Sequence, residues 1–377
     1  MSSEIRPFRI EVPEEVLADL RHRLEATRWP DRELVDDWSQ GAPLAYIQDL
    51  CRTWADDYDW RTREERLNAF AQFVTEIDGV DIHLIHEVSP HPEAVPLVIT
   101  HGWPGSIVEF HKVIRPLVDP VAHGGSAADA FHVIAPSLPG FGFSGKPTQV
   151  GWGVEKIADV WAELMTRLGY QTFLAQGGDW GSNVTAHLGA RHPDRVAGLH
   201  VTLTTVATPS APPVTPHEMN AVARAKKYLR EESGYATQQR TRPQTLGYAL
   251  TDSPSGQAAW IVEKFRAWTD CDGHPENVLT RDELLDNIMF YWATGSATSS
   301  ARLYWESFGP PSDLSITVPA GFAVYPEEIV PPVRSWVDNV FSHVVHWREY
   351  PRGGHFAALE VPQVYVEDVR EFARHVR

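Results

Sequence analysis

The stretch Gly177-Gly178-Asp179-Trp180-Gly181 sets a carboxylate between glycines that stand two positions to either side. Before it runs apolar Thr172-Phe173-Leu174-Ala175, which reads as a buried strand; after it, Ser182 to Ala190 reads as the start of a helix. Strand, sharp turn, helix is the layout of a nucleophile elbow, in which side chains at the flanking positions would collide across the turn. With Asp in the central position the chemistry changes. A carboxylate attacks amides poorly, but it can displace at saturated carbon and leave an ester. That points away from peptide and lipid hydrolysis and toward epoxide opening or halide displacement. Taken alone, the pentapeptide is equally what an Asp in an ordinary Gly-rich turn looks like, so the rest of the chain has to carry the assignment.

An ester intermediate needs a base to activate water. Where this elbow occurs, the chain order is nucleophile, acid, histidine. Of 17 histidines, His355 alone sits on a Gly-rich loop, Pro351-Arg352-Gly353-Gly354-His355-Phe356, directly after the last expected strand. Ligands bind at such carboxyl ends of strands in open α/β sheets. The strand before it runs into Tyr325-Pro326-Glu327-Glu328, and either glutamate could orient the imidazole. An oxyanion hole would take one backbone N–H from Trp180, after the nucleophile. The second would come from the loop His101-Gly102-Trp103-Pro104-Gly105-Ser106, with Trp103 the expected donor.

These residues need a scaffold. Residues 1 to 75 read as mainly helical: Val16, Leu17, Leu20 and Leu24 recur at helical spacing after Pro13 until Trp29-Pro30-Asp31 stops the helix, and further helices lie near 44–54 and 64–73. Phe73 to His86 reads as a hairpin turning at Asp78-Gly79. Strands follow at 96–100, 131–136, 172–175 and 196–201, and an amphipathic helix at 154–168. Strands that are apolar throughout and alternate with helices mean a parallel sheet covered on both faces. The alternation stops between 207 and 312. After a Pro-rich connector, Pro209 to Pro216, come helices near 218–230, 256–268, 280–291 and 298–306, the third opened by a Thr280–Glu283 capping box. A helical insertion in that place suits a lid. The α/β pattern resumes at Ile316 to Tyr325 and ends with a strand at 344–350 and a helix at 361–375. The expected organisation is an N-terminal segment 1–75, an α/β core 76–206 and 313–377, and a lid 207–312.

Composition sets outer limits. A chain of 377 residues that is 43% hydrophobic and 22% charged describes a globular protein of more than one unit. The net charge of -17 argues against nucleic acid or an anionic membrane surface as partner. Two cysteines, Cys51 and Cys271, form neither a disulfide framework nor a metal motif. The N-terminal residues show no signal-peptide pattern and no run is long enough to span a membrane, so cytoplasmic location is the expectation.

The three motifs His101–Ser106, Gly177–Ser182 and Gly353–Phe356 together resemble the epoxide hydrolases of the microsomal and juvenile-hormone type, which are α/β-hydrolases. The likeness extends to Tyr58-Asp59-Trp60-Arg61 and Ile77 to His83 and covers nearly the whole chain. The membrane-anchoring helix that precedes this region in the microsomal enzymes is not found, so the chain is identified as a soluble, bacterial-type member. The resemblance implies further roles. Glu232-Ser233-Gly234-Tyr235 and Arg302-Leu303-Tyr304 match the lid stretches whose tyrosines hold the epoxide oxygen, and Glu328 matches the family's acid, with Glu327 the lesser alternative. It implies diol formation from an epoxide and water with Asp179, Glu328, His355, Tyr235 and Tyr304, no metal and no organic cofactor. A dehalogenase using the same aspartate and an inactive ligand-binding relative are the rival readings. Detoxification or natural-product tailoring both suit bacterial members.

Overall fold

Asp78 and Gly79 both take positive φ, 51° and 80°, as a two-residue turn between right-twisted strands requires. In this computed structural model, which describes residues 4–203, 212–308 and 314–377, the turn joins β2 (Gln72–Ile77) to β3 (Val80–Glu87), with Ile77 opposite Val80. β1 (Arg6–Phe8) adds antiparallel to the outer side of β2. The other strands are β4 (Val95–Thr100), β5 (Phe131–Pro136), β6 (Phe173–Gly177), β7 (Val196–Val201), β8 (Ala320–Val324) and β9 (Val344–Glu349). All nine form one sheet, in the order β1-β2-β3-β5-β4-β6-β7-β8-β9. Everything from β5 to β9 in that order is parallel. The chain has the α/β-hydrolase fold.

The apolar strands are buried as their composition requires: every residue of β6 and β8 is shielded from solvent. The helix Val154–Arg167 lays Ile157, Trp161, Leu164 and Met165 into the core, and Trp161 Nε1–H donates to Thr100 Oγ1 at the end of β4. No helix among the described residues is long and apolar enough to cross a membrane.

Three local expectations are corrected. The helix placed near 64–73 spans Trp60–Leu67, because the Asp59 carboxylate caps it by accepting from the Arg61 and Thr62 N–H groups. Phe73 belongs to β2. β8 starts only at Ala320, and Ile316 makes a lone bridge to Phe341. β1 was not anticipated: three residues containing a proline give no periodic signal, and proline is tolerated there because the strand is an edge.

The helical excursion runs through Pro216–Lys227, a π-helical turn at Tyr228–Glu232, then Gly234–Thr241, Pro243–Asp252, Pro254–Trp268, Arg281–Trp292 and Ala297–Ser307. Both Thr215 and Thr280 head capping boxes, with Glu218 and Glu283. The helices at 234–241 and 243–252 were not anticipated. They bury only Tyr235, Ala236 and Gln239, and Gly247 and Leu250, so neither carries a recognisable apolar stripe. The expected boundaries at 206/207 and 312/313, and the first part of the connector at 209–216, lie outside the described residues.

The N-terminal helices Glu14–Glu25, Leu44–Asp56 and Trp60–Leu67 brace this excursion. Tyr58 Oη donates to Asp286 Oδ1 at 2.7 Å and Arg63 Nε to the same oxygen at 2.8 Å. Asp286 is on the helix Arg281–Trp292, whose Asn287 and Tyr291 reach the loop after β4.

Candidate active site

At the end of β6 the chain reverses through Asp179, which holds φ 50° and ψ -128°. A non-glycine residue keeps that strained conformation only where its surroundings enforce it. Here they do: a Cβ on Gly177 would lie 2.1 Å from the Gly181 carbonyl oxygen, and one on Gly181 would lie 1.9 Å from that of Thr100. The turn is therefore closed to side chains on both flanks, and the Asp179 carboxylate stands at the carboxyl edge of the sheet. The helix Trp180–Arg191 begins with the next residue. The Trp180 N–H is thus one of the donors that a helix start leaves without an intrahelical acceptor.

Across from the elbow stands the loop after β4. Trp103 N–H donates to Asp179 Oδ1 at 2.8 Å. The approach requires glycine at 102, where a Cβ would sit 2.0 Å from that same Oδ1. The helix Arg281–Trp292 pins the loop: Asn287 Nδ2 donates to the Pro104 carbonyl at 2.7 Å and Tyr291 Oη to that of Gly105 at 2.6 Å. Ser106 Oγ donates to Asn287 Oδ1 at 2.8 Å. The Trp103–Pro104 peptide is cis.

His355 arrives on the loop after β9, its own N–H held by the Trp268 carbonyl at 2.8 Å. Nδ1 donates to Glu328 Oε1 at 2.6 Å, and Nε2 faces Asp179 Oδ2 at 3.3 Å. Glu328 is fully buried and also accepts from the Ile329 N–H at 2.7 Å. Glu327 instead is half exposed and stands 3.5 Å from Arg224, so of the adjacent pair it is Glu328 that meets the imidazole. Burial opposes charge on His355, but the Glu328 and Asp179 carboxylates outweigh it and raise its pKa well above the ordinary imidazole value.

Two phenols of the helical excursion flank the site. Tyr235 stacks on the Trp103 indole, with centroids 4.9 Å apart and planes within 11°. Tyr304 stands perpendicular to Trp180 at 4.8 Å and meets Tyr235 at 5.8 Å. Burial pushes both phenols well above their usual range. All seven residues singled out in the sequence, Asp179, Glu328, His355, Tyr235, Tyr304, Trp103 and Trp180, thus converge on one aromatic-walled space.

Other groups were not read from the sequence. Glu109, after the loop, puts its carboxyl oxygen 1.5 Å from where a Cβ on Gly105 would stand. Burial raises its pKa to about 8, with the Asp179 charge adding to the shift and His355 opposing it. Tyr228 Oη lies 2.9 Å from Tyr235 Oη, and the Lys264 ammonium stands 4.8 Å above the Tyr235 ring. Nothing in the spacing of Glu109, Tyr228 or Lys264 marks them. Their relation to the site is wholly tertiary. Among the described residues the one cluster with metal-like spacing is His200, His346 and Asp368. Both oxygens of that carboxylate already engage the imidazoles, at 2.6 and 2.8 Å.

Known proteins resemble the chain along nearly its whole length. The sequence matches the family described as "Epoxide hydrolase N terminus" over residues 5–110 and the "alpha/beta hydrolase fold" over residues 95–362. It is 52% identical, over 99% of this chain and 86% of that one, to the Stigmatella aurantiaca protein named "Putative epoxide hydrolase". It is 37% identical to Epoxide hydrolase 1 of Sus scrofa, over 98% of this chain and 88% of that one. The crystal structure of the juvenile hormone epoxide hydrolase from Bombyx mori superposes with a TM-score of 0.92 at 30% identity, covering 100% of this chain and 95% of that one. The chain belongs to the epoxide hydrolase family, among the relatives of the microsomal and juvenile-hormone enzymes.

Proposed function

We propose that this epoxide hydrolase works through a covalent ester on Asp179. The observation that carries the reading is the division of the Asp179 carboxylate: Oδ1 is bound by the Trp103 N–H, while Oδ2 faces His355. Oδ2 attacks an epoxide carbon, the ring C–O bond breaks, and its electron pair passes to the ring oxygen. That oxygen is a poor leaving group unless a phenol meets the developing charge, which is the part given to Tyr235 and Tyr304. In the second half, His355 takes a proton from water and the hydroxide attacks the ester carbonyl carbon. Glu328 holds the imidazole in the tautomer that leaves Nε2 free to accept. The N–H groups of Trp103 and Trp180 then receive the oxyanion. Collapse releases a vicinal diol and restores Asp179.

The walls argue for the substrate class. Trp103, Trp180, Tyr235, Tyr304 and Trp268 are all buried rings around the nucleophile, which favours epoxides with apolar aryl or alkyl substituents. A dehalogenase would share Asp179, Trp180 and His355 but has no use for two phenols beside the nucleophile. The lid role of residues 207–312 and the support role of the N-terminal segment belong to the same proposal.

The test is diol formation from a panel of aryl and alkyl epoxides by wild type and by Asp179→Ala. Turnover lost in the variant supports the reading. Turnover that survives sinks the covalent route, and halide release from haloalkanes without diol formation would favour the dehalogenase.

A further inference from the structure

The two lid phenols have unlike neighbours. Tyr304 is packed by rings: Trp180 perpendicular to it at 4.8 Å and Phe308 stacked at 5.7 Å. Tyr235 is met by polar groups. Its hydroxyl is 2.9 Å from that of Tyr228, and the Lys264 ammonium lies 4.8 Å above its ring centroid. The Lys264 side chain is only 4% exposed. Glu263 at 2.8 Å and Glu232 at 3.8 Å, both nearer to solvent, sustain its charge there.

Resting on the covalent reading above, we propose that Tyr235 is the proton donor of ring opening, that Tyr228 and Lys264 are the positioning residues that make it so, and that Tyr304 contributes a hydrogen bond without transferring its proton. If Tyr228 O–H donates to the Tyr235 oxygen, the Tyr235 hydrogen is left free to point at the epoxide. As the C–O bond breaks, the ring oxygen takes that hydrogen and negative charge develops on the Tyr235 phenolate. A hydrogen bond to that oxygen and a cation over that ring both strengthen as the charge grows. They therefore favour the transition state over the ground state, which is what accelerates a step. The balance closes in the second half. Water adds its oxygen to the Asp179 acyl group, and the proton freed as that carboxylate re-forms replaces the one Tyr235 gave up. Tyr228 opens the π-helical turn Tyr228–Glu232, shortly before Tyr235 in sequence, and such turns recur at functional sites.

The test is a set of double-mutant cycles on single-turnover ester formation from styrene oxide, with enzyme in excess. Tyr228→Phe and Lys264→Met are each placed in wild-type, Tyr235→Phe and Tyr304→Phe backgrounds. Each should slow ester formation about tenfold in the wild-type and Tyr304→Phe backgrounds, the effect of one hydrogen bond or desolvated cation–π contact on a developing charge. In the Tyr235→Phe background neither should have an effect, and ester hydrolysis should keep its rate throughout. Recovery of most of the rate by Lys264→Arg supports the charge over the packing. An equal loss in the Tyr235→Phe background, no loss from Tyr228→Phe, or a loss confined to hydrolysis overturns the proposal. Absence of any ester in turning-over wild type overturns the covalent reading and this proposal with it, whereas ester without coupling overturns this proposal alone.

Discussion

Trp103 and Asp179 are joined through one oxygen only: the Trp103 N–H donates to Oδ1 at 2.8 Å, leaving Oδ2 toward His355 Nε2 at 3.3 Å. On the proposed mechanism Oδ2 becomes the ester oxygen and Oδ1 the carbonyl that turns into an oxyanion. Water then attacks the acyl carbon and not the substrate. A single turnover in heavy-oxygen water, with enzyme in excess, should put the label into the Asp179 peptide and leave the diol unlabelled. Mass spectrometry of both reads the outcome. Label in the first-turnover diol would mean that water attacks the epoxide directly.

The two halves of the reaction should come apart in His355→Gln. The nucleophile and its N–H donor are untouched, so the ester forms. Its hydrolysis should fall by about a thousandfold, the worth of a positioned general base. The measurement is the intact mass after mixing with an epoxide. An adduct that persists in His355→Gln and never forms in Asp179→Ala is expected. A variant that turns over without accumulating adduct would remove His355 from the second half.

The pH dependence of that second half follows from what surrounds the imidazole. Burial works against a charged His355, while the Glu328 and Asp179 carboxylates overcome it and hold the pKa well above normal in the free enzyme. The pair's contribution to folding stability is therefore full below the unfolded imidazole value of about 6.5, and it is lost as pH rises through the higher folded value. Esterification neutralises Asp179, the carboxylate that faces Nε2 and helps to hold the imidazole charged, so the imidazole pKa falls once the ester exists. Ester hydrolysis should then rise with pH to a plateau whose midpoint lies below the His355 pKa of the free enzyme, as read by NMR. Glu328→Gln should lower the midpoint further and cut the plateau by about a thousandfold or more, since the tautomer is no longer fixed. A midpoint that Glu328→Gln leaves unmoved would show that another group titrates.

How much of this could be read from the chain follows from how local each signal is. The Asp179 elbow, the Asp78-Gly79 turn and the Thr280–Glu283 box depend on neighbours within a few residues, and they stand where the sequence put them. Glu328 could not be separated from Glu327 by spacing. What distinguishes them is that the buried one meets His355 while the other turns to Arg224. Tyr235 and Tyr304 came only from resemblance, because a phenol on a helix looks like any other buried ring until the helix is docked. Glu109, Tyr228 and Lys264 were silent for the same reason. So was the chain of contacts from Tyr58 and Arg63 through Asp286 to the neighbouring Asn287 and the Trp103 loop, which links residues more than two hundred positions apart.

Asp368 supplies a prediction that separates stability from chemistry. It is fully buried on the helix Pro362–Arg374 and accepts from His200 Nε2 at 2.6 Å, from His346 Nε2 at 2.8 Å and from the Tyr350 hydroxyl. Burial alone would raise its pKa, but these donors outweigh it and hold the carboxyl well below the usual range. Its contribution is thus present above the unfolded value of about 3.9 and is lost as pH falls through the folded one. The three donors come from β7, β9 and the residue after β9, so the carboxylate ties the last helix to the far side of the sheet. Asp368→Asn keeps the volume but turns an NH2 toward N–H donors, and it should cost about 3 kcal/mol in chemical denaturation. Single-turnover ester formation by the folded fraction should not change. Asp368, His200 and His346 also have the spacing of a metal site, and the two readings diverge under a chelator. If the carboxylate is a hydrogen-bond acceptor, as both of its oxygens already are, dialysis against chelator leaves the wild-type midpoint where it was. A drop in the midpoint that added metal restores would instead make His200, His346 and Asp368 ligands.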